Sequence, residues 1–548
     1  MSDNLIVRTA SAYTYPLLIK NLLQFPVANN PDQEIIYRDQ LRYTYRTLHE
    51  RVARLANTLR ALGVKQGDTV AVMDWDSHRY LECFFAVPMI GAVLHTINVK
   101  LSPEQILFTI DHAEDDVLLV HSDFLPILEQ VKGRISTVRD YVLLKENDGT
   151  PDSHISFTGE YEALLADAEP TCDYPDLDEH SRATTFYTTG TTGLPKGVYF
   201  SHRQLVLHTL GAMAAVCSPE SQGRVHQNDV YMPMTPMFHV HAWGFPYIAT
   251  CMGLKQVYPG RYAPDMLLNL IDQEQVTFSH CVPTILHMLF KHPHSEEIDL
   301  SRWKVVIGGS ALSKALCLEG LRRGIDIYTG YGMSETCPVL TLALVKPDML
   351  DAPDEDQVEI RCKTGLTLPL VDLRIVDEEM NELPHDGEQT GEIVVRSPWL
   401  TQGYLKDKKN SEMLWAGGYL HTGDVASIDQ QGYLKISDRI KDVIKTGGEW
   451  ISSLELEDIV GHHPAVCEVA VIGQPDERWG ERPLALVVLK ADLKEPPTAK
   501  QIAAHVHEYT ETGIISKQVL LMKVRFVEGI DKTSVGKVDK RALRGKYV

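Results

Sequence analysis

The sequence has few cysteines, and none of them is placed to bind a metal. Nine cysteines are scattered through 548 residues without a CxxC pair, and no group of them has the spacing of a zinc or iron–sulfur site. Free thiols of this kind are typical of proteins in a reducing compartment. We therefore expect a cytoplasmic location and no cysteine-bound metal.

Long apolar runs and a basic leader segment are also missing. The longest nearly apolar run extends from Cys83 to Leu94, and it is too short to cross a membrane and is broken by Pro88 and Gly91. The opening residues lack the basic and apolar regions of a secretory signal. These absences predict a protein without an integral membrane segment.

Net positive charge is the third absence. The chain has 53 Lys and Arg against 74 Asp and Glu, which gives a formal net charge of −21. Nucleic-acid-binding proteins normally present basic surfaces that release counterions from the phosphate backbone, so a nucleic-acid partner is not expected. An anionic small substrate would need positive potential concentrated locally, by glycine-rich loops and a few lysines.

The hydrophobic pattern predicts alternating helices and strands. Apolar residues recur at helical spacing from Leu48 to Leu62, and residues 69–73 have the composition of a buried strand. Ser102 and Gln105 flank a proline in the pattern of a capped helix start, with a strand predicted at 117–120. A strand, a helix and a strand are predicted again at 304–307, 313–323 and 325–328. This alternation favours a layered α/β fold with largely parallel sheets.

Two charged stretches bear on the organisation of the chain. Acidic residues between positions 348 and 360 are predicted to lie on a solvated surface loop. A dense group of charges at 437–442 precedes a new capped helix, with Ser452 at its start and Glu455 three residues later. We place the main domain boundary there, with a large unit before it and a small α/β unit after it.

A loop rich in threonine and glycine occupies residues 187–197. Small and hydroxylated residues allow backbone N–H groups and hydroxyls to surround an anion, and Lys196 adds a positive charge. Pro195 before this lysine and Gly197 after it exclude a Walker P-loop, and a GxGxxG dinucleotide fingerprint is absent. The pattern indicates a cradle for a triphosphate.

This loop resembles the signature loop of the adenylate-forming enzymes, a superfamily that includes acyl-CoA synthetases, firefly luciferases and adenylation domains of peptide synthetases. Segments similar to further motifs of that superfamily follow in the same order. They lie at residues 236–239, 308–310, 329–336, 419–424, 438–442, 447–451 and 536–537. Asp531 stands where the last motif usually has proline, and Thr189 stands where many members have serine.

The resemblance implies a fold and a reaction. The fold would be α/β, with an N-terminal AMP-binding and acyl-binding domain at 1–437, a hinge at 438–442 and a mobile C-terminal domain at 443–548. The reaction would use ATP and Mg²⁺ to convert a carboxylic acid into an acyl-adenylate, and then transfer the acyl group to coenzyme A. Segments 238–243 and 447–452 are most similar to fatty-acyl-CoA synthetases, which favours medium or long saturated acids. Members of that branch can form homodimers.

The resemblance also assigns residue roles. Lys537 would stabilise charge between the carboxylate and the α-phosphate, His239 would lie beside the acyl carboxylate, and Glu335, with Thr188, would bind Mg²⁺. Asp424 would accept hydrogen bonds from the ribose, supported by Arg439, and Tyr331 would cover the adenine. The other residues expected at the nucleotide or the hinge are Thr189, Gly190, Thr191, Thr192, Gly193, Lys196, Gly309, Thr329, Gly330, Gly332, Ser334, Thr336, Lys441, Lys445 and Trp450.

The acyl site is expected near the second motif. Val240, Trp243 and Gly309 would line it, with Trp243 as an aromatic gate. His239 and His241 would face the same side if this segment were a strand, but no further ligands occur nearby, so a metal site is not expected. His241 is interpreted as an ordinary histidine.

Two alternative functions remain open from the sequence. One is an adenylating enzyme that acts on another acid class, passes its acyl group to a carrier-protein thiol, or oxidises the adenylate. The other is a non-catalytic protein that binds acyl nucleotides, which the presence of both Glu335 and Lys537 disfavours. The rate of AMP release with and without coenzyme A distinguishes these functions from a CoA ligase.

Overall fold

The computed structural model describes most of the chain. The described part excludes residues 1–3, 147–148, 150–151, 189–193, 219–222, 447–448, 492, 494, 512–516 and 534–537. It also excludes the side chains of residues 449–450, 511 and 517–518. Within the described part, the helices are α1 (Gln24–Asn29), α2 (Tyr45–Ala61), α3 (His78–Met89), α4 (Pro103–Ala113), α5 (Leu125–Glu129), α6 (Tyr161–Asp167), α7 (His202–Cys217), α8 (Val240–Trp243), α9 (Phe245–Met252), α10 (Pro264–Glu274), α11 (Pro283–Phe290), α12 (Lys314–Arg322), α13 (Asp354–Arg361), α14 (Lys408–Leu414), α15 (Ser453–Gly461), α16 (Ala499–Glu511) and α17 (Lys540–Tyr547).

The strands alternate with these helices. They are β1 (Glu34–Tyr37), β2 (Leu41–Thr44), β3 (Thr69–Met73), β4 (Val93–Thr96), β5 (Asp115–His121), β6 (Asp140–Leu144), β7 (Gly159–Glu160), β8 (Arg182–Thr188), β9 (Lys196–Ser201), β10 (Val230–Met234), β11 (Lys255–Tyr258), β12 (Phe278–Cys281), β13 (Lys304–Ile307), β14 (Asp326–Gly332), β15 (Val339–Leu342), β16 (Leu366–Thr367), β17 (Asp372–Val376), β18 (Gly391–Arg396), β19 (Leu420–Ile428), β20 (Leu434–Arg439), β21 (Ile444–Thr446), β22 (Glu449–Ile451), β23 (Val466–Asp476), β24 (Gly480–Leu489) and β25 (Lys523–Phe526).

Two large sheets form the N-terminal part. One has the order β7-β6-β5-β3-β4-β8-β9 and the other the order β16-β15-β14-β13-β12-β10-β11-β1-β2, and most neighbouring strands in both are parallel. Residues of both sheets share one hydrophobic core with α3, α7 and α9. A second core covers the opposite face of the larger sheet with α10, α11 and α12. The parallel strands are buried on both faces, as such sheets require.

Two smaller sheets follow along the chain. Strands β17 to β20 form an antiparallel sheet, and β21 to β24, with β25 at one side, form another. Two hydrophobic clusters around this last sheet consist only of residues from Ile444 onward. The prediction of a large N-terminal α/β domain followed by a small α/β domain is confirmed. The hinge position at 438–442 stays a prediction.

The capped helix starts form for the expected reason. Gln105 N–H donates to Ser102 Oγ at 3.3 Å, and the Gln105 side chain accepts from Ser102 N–H at 3.3 Å, which completes a capping box on α4. At α15, Glu455 N–H donates to Ser452 Oγ at 3.1 Å. Both helices begin where the sequence predicts them.

The acidic stretch between residues 348 and 360 differs from its prediction. The charge pattern predicts a surface loop between residues 348 and 360, but Asp354–Arg361 form helix α13. Three acidic residues in its first turn stabilise the helix by their interaction with the positive end of its dipole. Val358 is buried against the second core. Within the described residues, no helix is long and apolar enough to cross a membrane.

Candidate active site

The carboxyl ends of β13 and β14 form the floor of the candidate nucleotide site. Parallel strands leave an open crevice at this edge, where ligands of α/β proteins usually bind. Gly309 follows β13 with a φ of +80°, and a Cβ on Gly332 would lie 1.8 Å from the carbonyl oxygen of Pro338. Glycine is therefore required at position 332. Thr329 is buried, and its hydroxyl has no hydrogen-bond partner within the described residues.

The predicted phosphate loop lies between β8 and β9 in the chain. Thr188 and Lys196 are paired across this antiparallel hairpin, at the two ends of the segment 189–193. Lys196 Nζ lies 4.5 Å from the ring centroid of Tyr404, and the Tyr404 hydroxyl donates to Glu335 Oε1 at 2.7 Å. A chain of contacts therefore joins the lysine of the loop to the expected metal-binding carboxylate. The predicted residues Thr189, Gly190, Thr191, Thr192 and Gly193 lie outside the described residues.

Glu335 belongs to a single 3₁₀ turn, Ser334–Thr336. Its side chain is nearly fully buried, and burial raises the pKa of this carboxyl, against the opposing effects of Tyr404 and Lys196. Its carbonyl oxygen accepts from Thr401 N–H at 2.9 Å. Thr336 Oγ1 accepts from Met333 N–H at 3.0 Å, so this hydroxyl stabilises the turn itself. The turn presents Glu335 as a fixed carboxylate.

Asp424 is the centre of a second polar group. Its Oδ2 accepts from the Tyr331 hydroxyl at 2.7 Å, and its Oδ1 accepts from Arg439 Nε at 3.1 Å. Asp424 and Arg439 are register partners on β19 and β20, whereas Tyr331 comes from β14 of the nine-stranded sheet. The structure thus brings together three residues predicted from separate motifs.

His239 lies on a turn that two buried side chains hold. The carboxylate of Asp76 accepts from Met237 N–H at 2.8 Å, and the Thr96 hydroxyl donates to the Phe238 carbonyl oxygen at 3.0 Å. Burial raises the pKa of Asp76 to about 7, although the Tyr262 hydroxyl and the Met237 N–H oppose this rise. The backbone before His239 is therefore tied to the smaller of the two large sheets.

The segment after His239 is a left-handed turn, not a strand. The φ angles of Val240, His241, Ala242 and Trp243 are 48°, 54°, 48° and 58°, and Gly244 continues the run at 76°. Side chains in this conformation cost roughly 1–2 kcal/mol per residue, so the surrounding packing must hold them. His239 and His241 therefore do not share a strand face, and the alternation considered for them does not occur.

His241 and Trp243 both point into aromatic surroundings. The His241 ring is fully buried, with ring centroids of Phe84 and Phe186 at 5.5 Å and 5.3 Å, and burial lowers its pKa to about 3. Trp243 packs against Gly308, where a Cβ would come within 2.8 Å of the indole. This close approach joins the expected gate residue to the glycine turn that also contains Gly309.

Other predicted residues lie farther along the chain. Lys441 and Lys445 are exposed, and Lys445 pairs with Trp450 in the β21–β22 hairpin, although the side chain of Trp450 lies outside the described part. Lys537 also lies outside the described residues. Its catalytic role and those of the other site residues stay predictions.

The roles of Tyr404, Asp76 and Thr96 were not predicted from the sequence. Tyr404 follows a glycine in a loop that pairs with the phosphate hairpin, because Leu405 N–H donates to the Gly197 carbonyl oxygen at 2.8 Å. A polar residue shortly after a buried strand, such as Asp76 after β3, is a weak signal that could have indicated a support for the site.

Comparisons with known proteins show the family of this chain. Residues 23–405 match the model of the AMP-binding enzymes, and residues 455–537 match that of the AMP-binding enzyme C-terminal domain. The chain belongs to the AMP-binding enzymes. This membership confirms the predictions of an acid–thiol ligase and of ATP and coenzyme A as its substrates.

Individual relatives of this AMP-binding enzyme act on different acids. A long-chain-fatty-acid–CoA ligase of Thermus thermophilus is 42% identical, over 92% of this chain and 90% of that protein. A 3-methylmercaptopropionyl-CoA ligase of Ruegeria pomeroyi is 39% identical, over 90% of each. Among solved structures, the fatty acyl CoA synthetase of Mycobacterium tuberculosis has a TM-score of 0.72 at 26% identity, covering 97% of this chain and 98% of that one.

Proposed function

We propose that this enzyme activates an unbranched aliphatic acid of the fatty-acid class. The observation that supports this most is the uncharged aromatic surround of Trp243. Its ring centroid lies 5.1 Å from that of His280, which in turn stacks on Phe245 at 4.8 Å. Burial lowers the pKa of His280 to about 3, so its ring is neutral near pH 7. An apolar acyl chain fits such a surface, whereas an amino group or second carboxylate would find no opposite charge among these rings.

The first half-reaction joins two anions. A carboxylate oxygen attacks the α-phosphorus of ATP, the new oxygen–phosphorus bond gives the acyl-adenylate, and pyrophosphate leaves with the electrons of the broken bond. Lys537 is proposed to place its ammonium between the two reacting anions, with His239 beside the carboxylate. The Asp76 and Thr96 contacts would keep the His239 turn in place during this step.

The nucleotide would be held by two clusters of polar side chains, one around Asp424 and the other around Lys196 and Glu335. The Asp424 carboxylate accepts hydrogen bonds on both oxygens within the protein and keeps further lone pairs for the ribose hydroxyls. Lys196 and the threonines of the phosphate loop would contact the triphosphate. The buried Thr329 hydroxyl, which lacks a partner within the described residues, is suited to a polar contact with the nucleotide.

Glu335 and Thr188 are the proposed magnesium ligands. Hard oxygen donors suit Mg²⁺, which typically takes one or two protein ligands together with phosphate oxygens and waters. The burial of Glu335 raises the pKa of its carboxyl, and a nearby cation would offset this cost of holding it ionised. Bound there, Mg²⁺ would neutralise charge on the β- and γ-phosphates. Ionised Glu335 would accept from Tyr404 throughout.

The second half-reaction needs a different arrangement around the same carbonyl. The sulfur of coenzyme A attacks the carbonyl carbon, a thioester forms, and AMP leaves. We propose that rotation at Lys441 moves the C-terminal domain between the two steps. In Lys441→Pro, the rates of pyrophosphate release and of thioester formation from added acyl-adenylate should fall unequally. Equal losses would contradict a hinge at this position.

A short thioether acid is the second candidate substrate. Two curated relatives, 39% and 36% identical to this chain, are 3-methylmercaptopropionyl-CoA ligases. A thioether is uncharged and packs well against aromatic rings, so the surround of Trp243 accommodates it equally.

A direct assay tests the proposal. Purified enzyme with Mg²⁺ and ATP would receive linear acids from acetate to hexadecanoate, 3-methylthiopropionate, and an amino acid or dicarboxylate as controls. AMP formation should require both an aliphatic acid and coenzyme A. Multiple-turnover formation of AMP that does not depend on coenzyme A would favour another acceptor, and no pyrophosphate release with any acid would contradict the proposal. Light scattering on the same sample tests the expected homodimer.

A further inference from the structure

A cavity of about 530 Å³ lies beside the β8–β9 hairpin. Arg182 of β8 and Tyr199 and Ser201 of β9 form one wall, and residues of the segment 402–406 form the other. Ser201 and Lys196 are at opposite ends of β9, about 16 Å apart along the strand, so the far end of the cavity is remote from the predicted phosphate loop. The volume is within the range of roughly 300–1,000 Å³ that is typical of small-molecule sites.

The lining of this cavity is basic, although the chain as a whole is acidic. Within the described residues, four basic side chains and no aspartate or glutamate line it. The four are His180, Arg182, Arg203 and Lys406. Two carboxylates outside the lining pair with members of this set, because Glu179 lies 2.6 Å from Arg203 and Glu114 lies 2.9 Å from Lys406. The cavity therefore has a local excess of positive charge in a chain with a formal net charge of −21.

Arg182 supplies this excess. Within the part of the chain that the structure describes, its guanidinium makes no hydrogen bond or ion pair, and the Tyr199 hydroxyl has no hydrogen-bond partner. Ser201 is different, since its N–H donates to Gln204 Oε1 at 2.8 Å and its Oγ accepts from Gln204 N–H at 3.3 Å. A guanidinium without a protein acceptor is suited to an external anion, which it can bind through two parallel N–H groups.

We propose that this cavity is a second phosphate site, separate from the nucleotide site, which binds a phosphate-bearing small molecule. A phosphate group offers three acceptor oxygens and up to two negative charges, so it can accept from both Arg182 and Tyr199 while it lies near the charges of Arg203 and Lys406. A carboxylate carries one charge and should bind there more weakly. The site does not depend on which acid the enzyme activates.

The reaction itself supplies one such molecule on the other side of Tyr404. This residue lines the cavity, its hydroxyl donates to Glu335 at 2.7 Å, and Lys196 Nζ lies 4.5 Å from its ring centroid. Pyrophosphate that leaves the proposed triphosphate site near Lys196 would reach the cavity beyond one tyrosine side chain. Inorganic phosphate from solution is the other source of the same chemistry.

Calorimetric titration of the full-length enzyme tests the site. A non-hydrolysable ATP analogue is added to saturation first, so that phosphate binding at the nucleotide site is blocked. Pyrophosphate, inorganic phosphate and acetate are then titrated separately at constant ionic strength, without Mg²⁺, which would bind pyrophosphate in solution. We expect one equivalent of pyrophosphate or of inorganic phosphate to bind, and the tighter of the two identifies the source. Acetate should bind more weakly than either.

Four variants assign the binding to this cavity. Arg182→Gln should weaken phosphate binding at least about tenfold, because a charge-assisted hydrogen bond and the unpaired charge are lost. Arg182→Lys keeps the charge without the planar fork, should show an intermediate loss, and serves if the glutamine variant does not fold. Tyr199→Phe removes one donor and should cost about threefold. Arg134→Gln is the matched control, since it makes the same charge change at an exposed arginine that binds Glu104 at 2.6 Å.

The outcomes decide the proposal. Weaker binding in folded Arg182→Gln or Arg182→Lys, with the affinity of Arg134→Gln within about twofold of wild type, supports the site. It is overturned if wild type binds neither anion at up to about 10 mM, or if the folded Arg182 variants and Tyr199→Phe bind as wild type does. Acetate binding equal to that of phosphate overturns the ligand class.

The activity of the same samples separates this inference from the proposed function. CoA-dependent AMP formation without added phosphate should be equal in wild type and Arg182→Gln. A loss of more than about tenfold in this variant would place Arg182 in the nucleotide site and overturn a separate phosphate site. Absence of activity in wild type with any acid would contradict the proposed function and leave the calorimetric result to decide the second site.

Discussion

The two ends of the candidate active site are stabilised in different ways. At the nucleotide end, charged and hydroxyl groups from distant parts of the chain meet in hydrogen bonds, as in Tyr331 with Asp424 and Tyr404 with Glu335, both at 2.7 Å. At the acyl end, rings stack on one another around a left-handed turn, and a hydrogen bond joins His280 to Tyr231. The nucleotide end therefore depends on the positions of charged groups, and the acyl end depends on side-chain volume and packing.

This difference indicates which property each end controls. Charge placed in a buried site acts strongly on a reaction in which charge moves, so substitutions at the nucleotide end should mainly lower kcat. Packing distinguishes substrates by size, so substitutions at the acyl end should mainly change which acid is used. Four substitutions test this division, and their expected effects decrease from Lys537, the proposed catalytic lysine, to a buried carboxyl.

The largest effect is expected for Lys537→Ala. If the ammonium stabilises the transition state of adenylation, its loss should lower the rate of acid-dependent pyrophosphate release on the order of a hundredfold or more. Thioester formation from added acyl-adenylate should fall much less. Lys546→Ala is a control, since this lysine makes a 3.4 Å ion pair with Asp531 and has no proposed role. If the rate of pyrophosphate release in Lys537→Ala falls by less than about threefold, a catalytic role of this lysine is contradicted.

Glu335→Gln should follow in size. The amide keeps the volume and can still accept from the Tyr404 hydroxyl, but it lacks the negative charge for Mg²⁺, so kcat should fall roughly ten- to a hundredfold. The Mg²⁺ concentration for half-maximal rate should also rise. Tyr404→Phe removes only the 2.7 Å hydrogen bond and should cost less. An unaltered Mg²⁺ dependence in Glu335→Gln would contradict its role as a ligand.

Trp243→Ala tests the acyl end. Removing the indole takes away buried apolar contact, at roughly 25 cal/mol per Å², so KM for the preferred acid should rise several-fold while KM for ATP stays close to wild type. Steady-state kinetics with each substrate varied in turn measures both constants. Changes of similar size in the two KM values would show that the acyl and nucleotide ends are not separable.

The smallest effect concerns pH and Asp76, which supports the His239 turn from below. Its pKa is raised to about 7 in the folded protein, above the ordinary value of an aspartic acid. The carboxyl therefore favours folding while it is protonated, and this contribution is lost as the pH rises through about 7. Asp76→Asn cannot ionise and can still accept from Met237 N–H. Its melting temperature should fall by about one to two degrees less than that of wild type between pH 6 and pH 8. Parallel curves would assign the pH dependence to other groups.

Much of the architecture followed from local patterns. The helix starts at Ser102 and Ser452 form as predicted, because a cap needs only residues three positions apart. The strand at 69–73 is β3, because an uninterrupted apolar run of that length is typical of a strand buried on both faces. The helix at 354–361 was missed because its acidic first turn is equally typical of a loop, and the contact of Val358 with the second core could not be predicted from the sequence.

The parts of the candidate site that lie within single motifs could be predicted from the sequence. Asp424 and Tyr331 were each named from their own segments, and the structure places them in contact. Tyr404, Asp76 and His280 were not named, since each acts through a partner far away in the chain or on a neighbouring strand. No local pattern records such a pairing.

The sequence by itself therefore determined the chemistry. A threonine- and glycine-rich loop indicates a cradle for a triphosphate, and the resemblance of an ordered series of motifs to the adenylate-forming enzymes implies that the nucleotide is used to activate an acid. Only the tertiary structure decided how the acyl end is shaped. Four consecutive left-handed residues have no preferred sequence, and the register that sets His280 beneath Trp243 arises from strand pairing, which forms between residues far apart in the chain.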